Sequence, residues 1–136
     1  MHNQQQKVAT RLKLIAQIIA SITAVFFVAF LIAEIISNLV YEGQEPFETA
    51  GLILGLLQLL ALAGAILTWW RERIASLILC LASLGLGIHI AVYAGRNHFI
   101  TWLMLGSPYL IAGSLLFISW WLTKANERKL EANLKA

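Results

Sequence analysis

Long apolar runs alternate with short polar segments along the whole chain, and four such runs are present, at about residues 12–41, 49–70, 74–94 and 99–122. Each run reaches the roughly 20 residues that an α-helix needs to cross about 30 Å of hydrocarbon. Because lipid offers backbone groups no water to bind, segments of this length are predicted to be helices. The pattern predicts an all-α membrane protein with four spans.

Small residues recur at four-residue intervals in three of the predicted helices. This spacing puts them on one face, where a neighbouring helix can approach closely. The turn at residues 71–73 is so short that the second and third helices should be antiparallel neighbours, and Pro108 should kink the fourth helix. The predicted packing residues are Ala16, Ala20 and Ala24 in the first helix, Gly51 and Gly55 in the second, and Ser83, Gly87 and Ala91 in the third.

The ten Lys and Arg residues fall almost entirely on alternate segments. Three precede the first run, two lie between the second and third runs, and four follow the fourth run, whereas the other segments carry only Arg96. Under the positive-inside rule, both termini and the central turn are predicted to be cytoplasmic. The predicted fold is a four-helix transmembrane bundle of two antiparallel hairpins, with a basic N-terminal segment 1–11 and a charged cytoplasmic tail 123–136.

Tryptophan and tyrosine residues cluster near the predicted ends of the spans. Their rings suit the apolar side of the membrane interface, while their polar atoms can reach water. The predicted interface anchors are Trp69, Trp70, Trp120 and Trp121 on the cytoplasmic side, and Trp102, Tyr41 and Tyr93 near the outer boundary.

The composition, 60% hydrophobic and 12% charged, excludes an ordinary water-soluble domain. The net charge of +3 is explained by cytoplasmic anchoring residues, so anionic lipid headgroups are expected as partners and nucleic acid is not. The predicted location is the plasma membrane, as a multi-pass protein of a bacterial inner membrane. The lipid bilayer is the expected partner, with a membrane protein or a second copy of the chain as further possibilities.

Polar side chains within the apolar runs are costly to place in lipid, which makes them candidates for a functional site. The candidate intramembrane polar site consists of Glu34, Gln58 and His89, all predicted to lie in the outer half of the membrane. Glu34 and His89 could pair there, and Gln58 could hydrogen-bond to either. The structural alternative places Glu34 at the headgroups and makes His89 and Gln58 interhelical hydrogen-bonding residues.

The sequence contains no catalytic motif, no paired carboxylates within a run and no aspartate at all. With a single cysteine, Cys80, it has no intramolecular disulfide and no multi-cysteine metal site. The expectation is a protein that is not an enzyme and has no cofactor, acting as an accessory or scaffold component of the membrane.

The second half resembles small uncharacterised bacterial membrane proteins with four helices, of a domain-of-unknown-function type. The resemblance begins at Trp70-Arg71-Glu72-Arg73 and continues through a final helix with Pro108, Gly113, Leu116-Phe117 and Trp120. It implies a fold and no activity.

A second resemblance is to the small multidrug resistance exporters. Ile32-Ala33-Glu34-Ile35-Ile36 is similar to their first-helix glutamate motif, and Ser83-x-Gly85-Leu86-Gly87 to their third-helix Gly-x-Gly. This resemblance implies that Glu34 would bind protons and cationic drugs in competition. A proton-coupled small-molecule exporter that uses Glu34 is therefore the alternative function.

Overall fold

The computed structural model describes residues 2–40, 49–93 and 95–135, and these residues are almost entirely helical. Each of the four apolar runs is helical, and the fourth run is broken into two helices. The elements are α1 (His2–Val40), α2 (Thr49–Leu67), α3 (Glu72–Tyr93), a 3₁₀ turn (Gly95–Asn97), α4 (His98–Leu105) and α5 (Ser107–Lys135).

Three helical segments are long and apolar enough to cross a membrane by length and composition: Gln4–Ser37, Glu72–Tyr93 and Gly95–Leu134. The apolar stretch of α2, Gly51–Leu67, is shorter.

Helices α1 and α5 both extend beyond the apolar runs that predicted them. The first helix begins at His2 and not near residue 12, and the last continues to Lys135. The start of α1 packs on α5, since the Ser119 hydroxyl donates a hydrogen bond to the Ala9 carbonyl at 2.9 Å, and Asn126 of α5 is buried. Tertiary contact stabilises helix where the sequence lacks an apolar run.

Packing is uneven around the bundle. Helix α1 packs most extensively against α5, and α3 packs against both α2 and α5, while α1 and α2 touch sparsely. The tight turn at residues 68–71 makes α2 and α3 antiparallel neighbours, as its length predicts. The first helix is thus packed mainly against the last, and its contact with α2 is the weaker one.

Small side chains line the contact between α1 and the rest of the bundle. Ala16, Ala20 and Ala24 are 0%, 0% and 4% exposed, and they lie on one face of α1. The core is completed by larger residues of α3 and α5, including Leu79, Leu86 and Leu116. Close backbone approach and dispersion, more than apolar burial, hold such an interface together when the surroundings are also apolar.

Over the described residues, the bundle consists of four helical rods, namely α1, α2, α3 and the consecutive pair α4–α5. The fourth rod is interrupted between α4 and α5. Gly106 separates the two helices, and Pro108 lies in the first turn of α5, where it has no N–H to donate. The Ser107 hydroxyl donates to the Leu103 carbonyl across the break. The helix is thus interrupted two residues before Pro108, the position at which a kink is predicted.

Candidate functional site

A polar contact joins α3 to the break between α4 and α5. The Ser83 hydroxyl donates to the Gly106 carbonyl at 2.8 Å, and the Trp102 indole Nε1–H donates to the Ser83 carbonyl at 3.2 Å. A Cβ atom added at Gly87 would lie 2.8 Å from Trp102 Nε1, and one added at Gly106 would lie 2.5 Å from it. The indole is therefore held between two glycines, and we call these four residues the Trp102 clasp.

The Trp102 clasp joins a predicted interface anchor, Trp102, to two predicted packing residues of the third helix, Ser83 and Gly87. Trp102 is predicted to anchor the outer interface, and its indole N–H donates an interhelical hydrogen bond. Ser83 and Gly87 face this indole, while Ala91, the third member of their predicted ridge, is exposed. A glycine and a tryptophan fifteen residues apart give no sequence signal of contact, so sequence reasoning missed this arrangement.

Gln58 and Tyr109 are the most deeply placed polar side chains without a complete set of hydrogen bonds. Gln58 is 5% exposed and Tyr109 is fully buried, yet the Gln58 Oε1 and the Tyr109 hydroxyl have no partner among the described residues. The Tyr109 ring lies 6.0 Å from that of Phe27, centroid to centroid. Each unpartnered polar atom in an apolar interior carries a desolvation cost.

The helix register places Gln58 and Tyr109 at a similar depth in the bundle. Gln17 on α1 donates a hydrogen bond to the Thr68 carbonyl at the end of α2, at 3.1 Å. Phe27 and Gln58 each lie ten residues from that point, or about 15 Å along antiparallel helices. Phe27 contacts Tyr109. The Tyr109 hydroxyl, a donor, and the Gln58 Oε1, an acceptor, therefore lie at a similar depth in the bundle, and neither has a described hydrogen-bond partner.

The predicted pairing among Glu34, Gln58 and His89 is not seen among the described groups. His89 is buried on α3 and its ring lies 4.8 Å from that of Tyr93, and it makes no described hydrogen bond to Gln58. The Glu34 side chain lies outside the described residues. Its helix segment, from Val28 to Val40, contributes no buried side chain among those described.

The other predicted positions lie as follows. Gly51 and Gly55 have nothing within 4 Å of an added Cβ and line an open groove between α1 and α2 with Leu31 and Ile35. Trp69, Trp70, Trp121 and Tyr93 are exposed and Trp120 is half-buried, while Tyr41 lies outside the described residues.

At the end of the bundle that holds both described chain ends, α1 is tied to the α2–α3 turn. The Lys13 Nζ lies 2.6 Å from a carboxylate oxygen of Glu72, next to the Gln17–Thr68 hydrogen bond. Both charged side chains are partly exposed, at 34% and 24%, so the ion pair alone is worth at most about 1 kcal/mol.

Two cations share one aromatic ring at this same end. The Arg73 guanidinium carbon lies 5.2 Å from the Trp120 ring centroid, and the Lys124 Nζ lies 5.1 Å from it. Arg73 is the second residue of α3, and Trp120 and Lys124 are both on α5, so the ring joins two helices through cation–π contacts. We call Arg73, Trp120 and Lys124 the Trp120 cluster.

The chemistry available to these groups is limited. In the part of the chain that the structure describes, every side-chain hydrogen bond runs to a backbone carbonyl, apart from the Lys13–Glu72 ion pair. No three His, Cys or Glu side chains in residues 2–40, 49–93 and 95–135 group closely enough to hold a metal ion. Four of these bonds join different helices, and among the described side chains none forms a proton relay or a nucleophile–base pair.

A family model described as a domain of unknown function, DUF7670, matches residues 4–128. The chain belongs to this family. The match extends from the start of α1 into α5, so the DUF7670 domain includes all four helical rods, the Trp102 clasp and the Trp120 cluster. No curated protein and no solved structure gives a significant match to the chain.

Proposed function

We propose that this DUF7670 protein is a multi-pass integral membrane protein with four spans, formed by α1, α2, α3 and the α4–α5 rod. Large apolar side chains are exposed on every rod, among them Ile22, Leu56, Ile88 and Met104, each 66% to 72% exposed. In water such a surface would drive aggregation, whereas lipid tails match it. The plasma membrane, in a bacterium the inner membrane, is the proposed location.

The distribution of charge supports an orientation with both termini cytoplasmic. The Lys13–Glu72 ion pair and the Trp120 cluster bring cations from the N-terminal segment, the central turn and the tail to one end of the bundle. Four of the seven glutamates, at positions 34, 42, 45 and 48, fall at or beyond the other end of α1. The positive-inside rule assigns the cationic end to the cytoplasm.

Within the membrane we assign this protein a non-enzymatic accessory or scaffold role. The observation that carries this proposal is a two-helix extension, the cytoplasmic stem, made of residues 4–12 of α1 and 123–134 of α5. Ala9 and Asn126 are buried at 3% and 7% exposure, so the stem is packed where it joins the bundle, whereas the side chains from Glu127 to Leu134 are all exposed. Its outer surface carries exposed charged side chains of both signs, including Arg11, Glu127 and Arg128, which suit a docking surface for another protein.

The competing function is a proton-coupled exporter that uses Glu34. An exporter of this kind needs its carboxylate where substrate binds between helices, and the Val28–Val40 segment of α1 contributes no fully buried side chain among those described. The accessory role needs no such site. The two functions predict different effects on transport when the negative charge of Glu34 is removed.

The two functions are distinguished by comparing transport by the original protein and by the Glu34→Gln variant in proteoliposomes. We expect no proton-driven transport of cationic dyes by either the original protein or the variant, because no described group lies positioned to couple them. Photo-crosslinkers placed at Arg11 and Glu127 should capture a defined partner in native membranes, whereas one at the lipid-facing Ile88 should not. Cation transport that disappears in Glu34→Gln would overturn the accessory role.

Cysteine labelling tests the orientation. In a Cys80→Ala background, single cysteines at Gln44, in the segment between α1 and α2, and at Asn133, near the end of α5, should react with impermeant reagents from opposite sides. Labelling of both positions from one side would contradict the proposed topology.

A further inference from the structure

The Trp120 cluster lies at the edge of a groove along α5 that changes from aromatic to basic. The groove encloses about 470 Å³ and is lined by Phe117, Trp120 and Trp121 at one end and by Lys124, Arg128 and Lys129 at the other. From Phe117 to Lys129 it runs twelve residues, or about 18 Å along the helix. It therefore presents apolar surface towards the membrane and cations towards the cytoplasmic side.

The cations of this groove have no carboxylate partner among the described residues. The carboxylate of Glu72, which is adjacent to Arg73 in sequence, is paired with Lys13 on α1. Glu127 lies between Lys124 and Arg128 in sequence, but it does not line the groove and forms no described ion pair. Arg73 and Lys124 each lie within about 5.2 Å of the Trp120 ring centroid, so an anion that binds next to this ring is stabilised by both charges.

We propose that this groove binds an anionic glycerophospholipid. Arg73, Lys124 and Arg128 would contact the phosphate, and Phe117 and Trp121 would contact the glycerol and the first part of an acyl chain. The apolar half of the groove argues for a lipid over a soluble anion, which would use the cations alone. Guanidinium and ammonium groups fixed on a ring at the membrane interface bind a phosphate more specifically than mobile lysines do.

This assignment rests on the proposed membrane insertion, and it does not depend on the accessory role. Insertion is checked separately, by whether the protein stays in the membrane fraction after alkaline extraction. An inserted protein that binds no lipid in the groove would contradict the lipid site alone.

Lipid binding is measured by native mass spectrometry of the full-length protein, with phosphatidylglycerol and phosphatidylethanolamine added in equal amounts. We expect at least a five-fold preference for phosphatidylglycerol. The preference should disappear in the double variant Arg73→Gln/Lys124→Gln. It should persist in Lys7→Gln/Arg11→Gln, which removes the same charge from exposed positions of α1 at the same end of the bundle.

Three results would overturn the site. Equal loss in both double variants would show diffuse attraction to the basic end. An unchanged preference in Arg73→Gln/Lys124→Gln would show that the Trp120 cluster is not involved. Displacement of the lipid by millimolar inorganic phosphate would show a site for soluble anions. If the double variant does not fold, as judged by circular dichroism, the single variants Arg73→Gln and Lys124→Gln are compared, and each should reduce the preference at least two-fold.

Discussion

The sharpest test of the packing is an alanine placed under the indole of the Trp102 clasp. In Gly87→Ala, the new Cβ would lie 2.8 Å from Trp102 Nε1 and 3.0 Å from its Cδ1. An exposed side chain would move aside at little cost. This indole cannot move freely, because Gly106 contacts it from another direction and the Ser83 carbonyl accepts its N–H.

The expected cost follows from opposing contributions. Overpacking of this kind costs about 1–3 kcal/mol, and a weakened Trp102–Ser83 hydrogen bond adds about 0.5–1 kcal/mol. Replacing a glycine by alanine within a helix stabilises the folded state by about 0.5–1 kcal/mol, which offsets part of this cost. Gly87→Ala should therefore destabilise the fold by about 1–3 kcal/mol. Gly55→Ala is the matched control, since nothing lies within 4 Å of its Cβ, and it should be neutral or stabilising by up to about 1 kcal/mol.

Both variants are measured by reversible unfolding in mixed micelles with increasing sodium dodecyl sulfate, followed by circular dichroism. A double-mutant cycle with Trp102→Leu isolates the contact. Once the indole is gone, the cost of Gly87→Ala should vanish or change sign. Equal stability of Gly87→Ala and Gly55→Ala, or an unchanged cost in the Trp102→Leu background, would refute the clasp.

Three further substitutions test single interactions by the same unfolding measurement. Tyr109→Phe removes a buried hydroxyl without a described partner, so it should stabilise the protein by up to about 1–3 kcal/mol; a loss of stability would show that the hydroxyl is hydrogen-bonded. Ser119→Ala should cost about 0.5–1 kcal/mol by removing the bond to Ala9, and it should speed protease cleavage where the stem joins the bundle; an unchanged cleavage rate would count against packing at that point. Glu72→Gln should cost up to about 1 kcal/mol through loss of the Lys13 pair, and this cost should shrink near 1 M NaCl; a cost independent of salt would point to packing instead.

The sequence by itself determined the helical nature of this protein and one of its packing faces. Apolar runs of about 20 residues permit little else, because unpaired backbone groups are so costly in lipid. The interval of four in Ala16, Ala20 and Ala24 correctly identified the buried face of α1. Pro108 indicated a kink because the missing N–H has the same effect in any surroundings.

Only the tertiary structure decided which helices pair and which glycines matter. Gly55 and Gly87 have the same kind of sequence neighbourhood, yet one faces open space and the other faces Trp102. Small-residue spacing shows that a helix can be approached, and it does not show by which neighbour. The apolar pattern cannot supply that answer, since the exposed faces of these helices are as apolar as the buried ones. The apolar runs did not mark the ends of α1 and α5, because both helices continue into polar sequence, at residues 2–11 and 123–135.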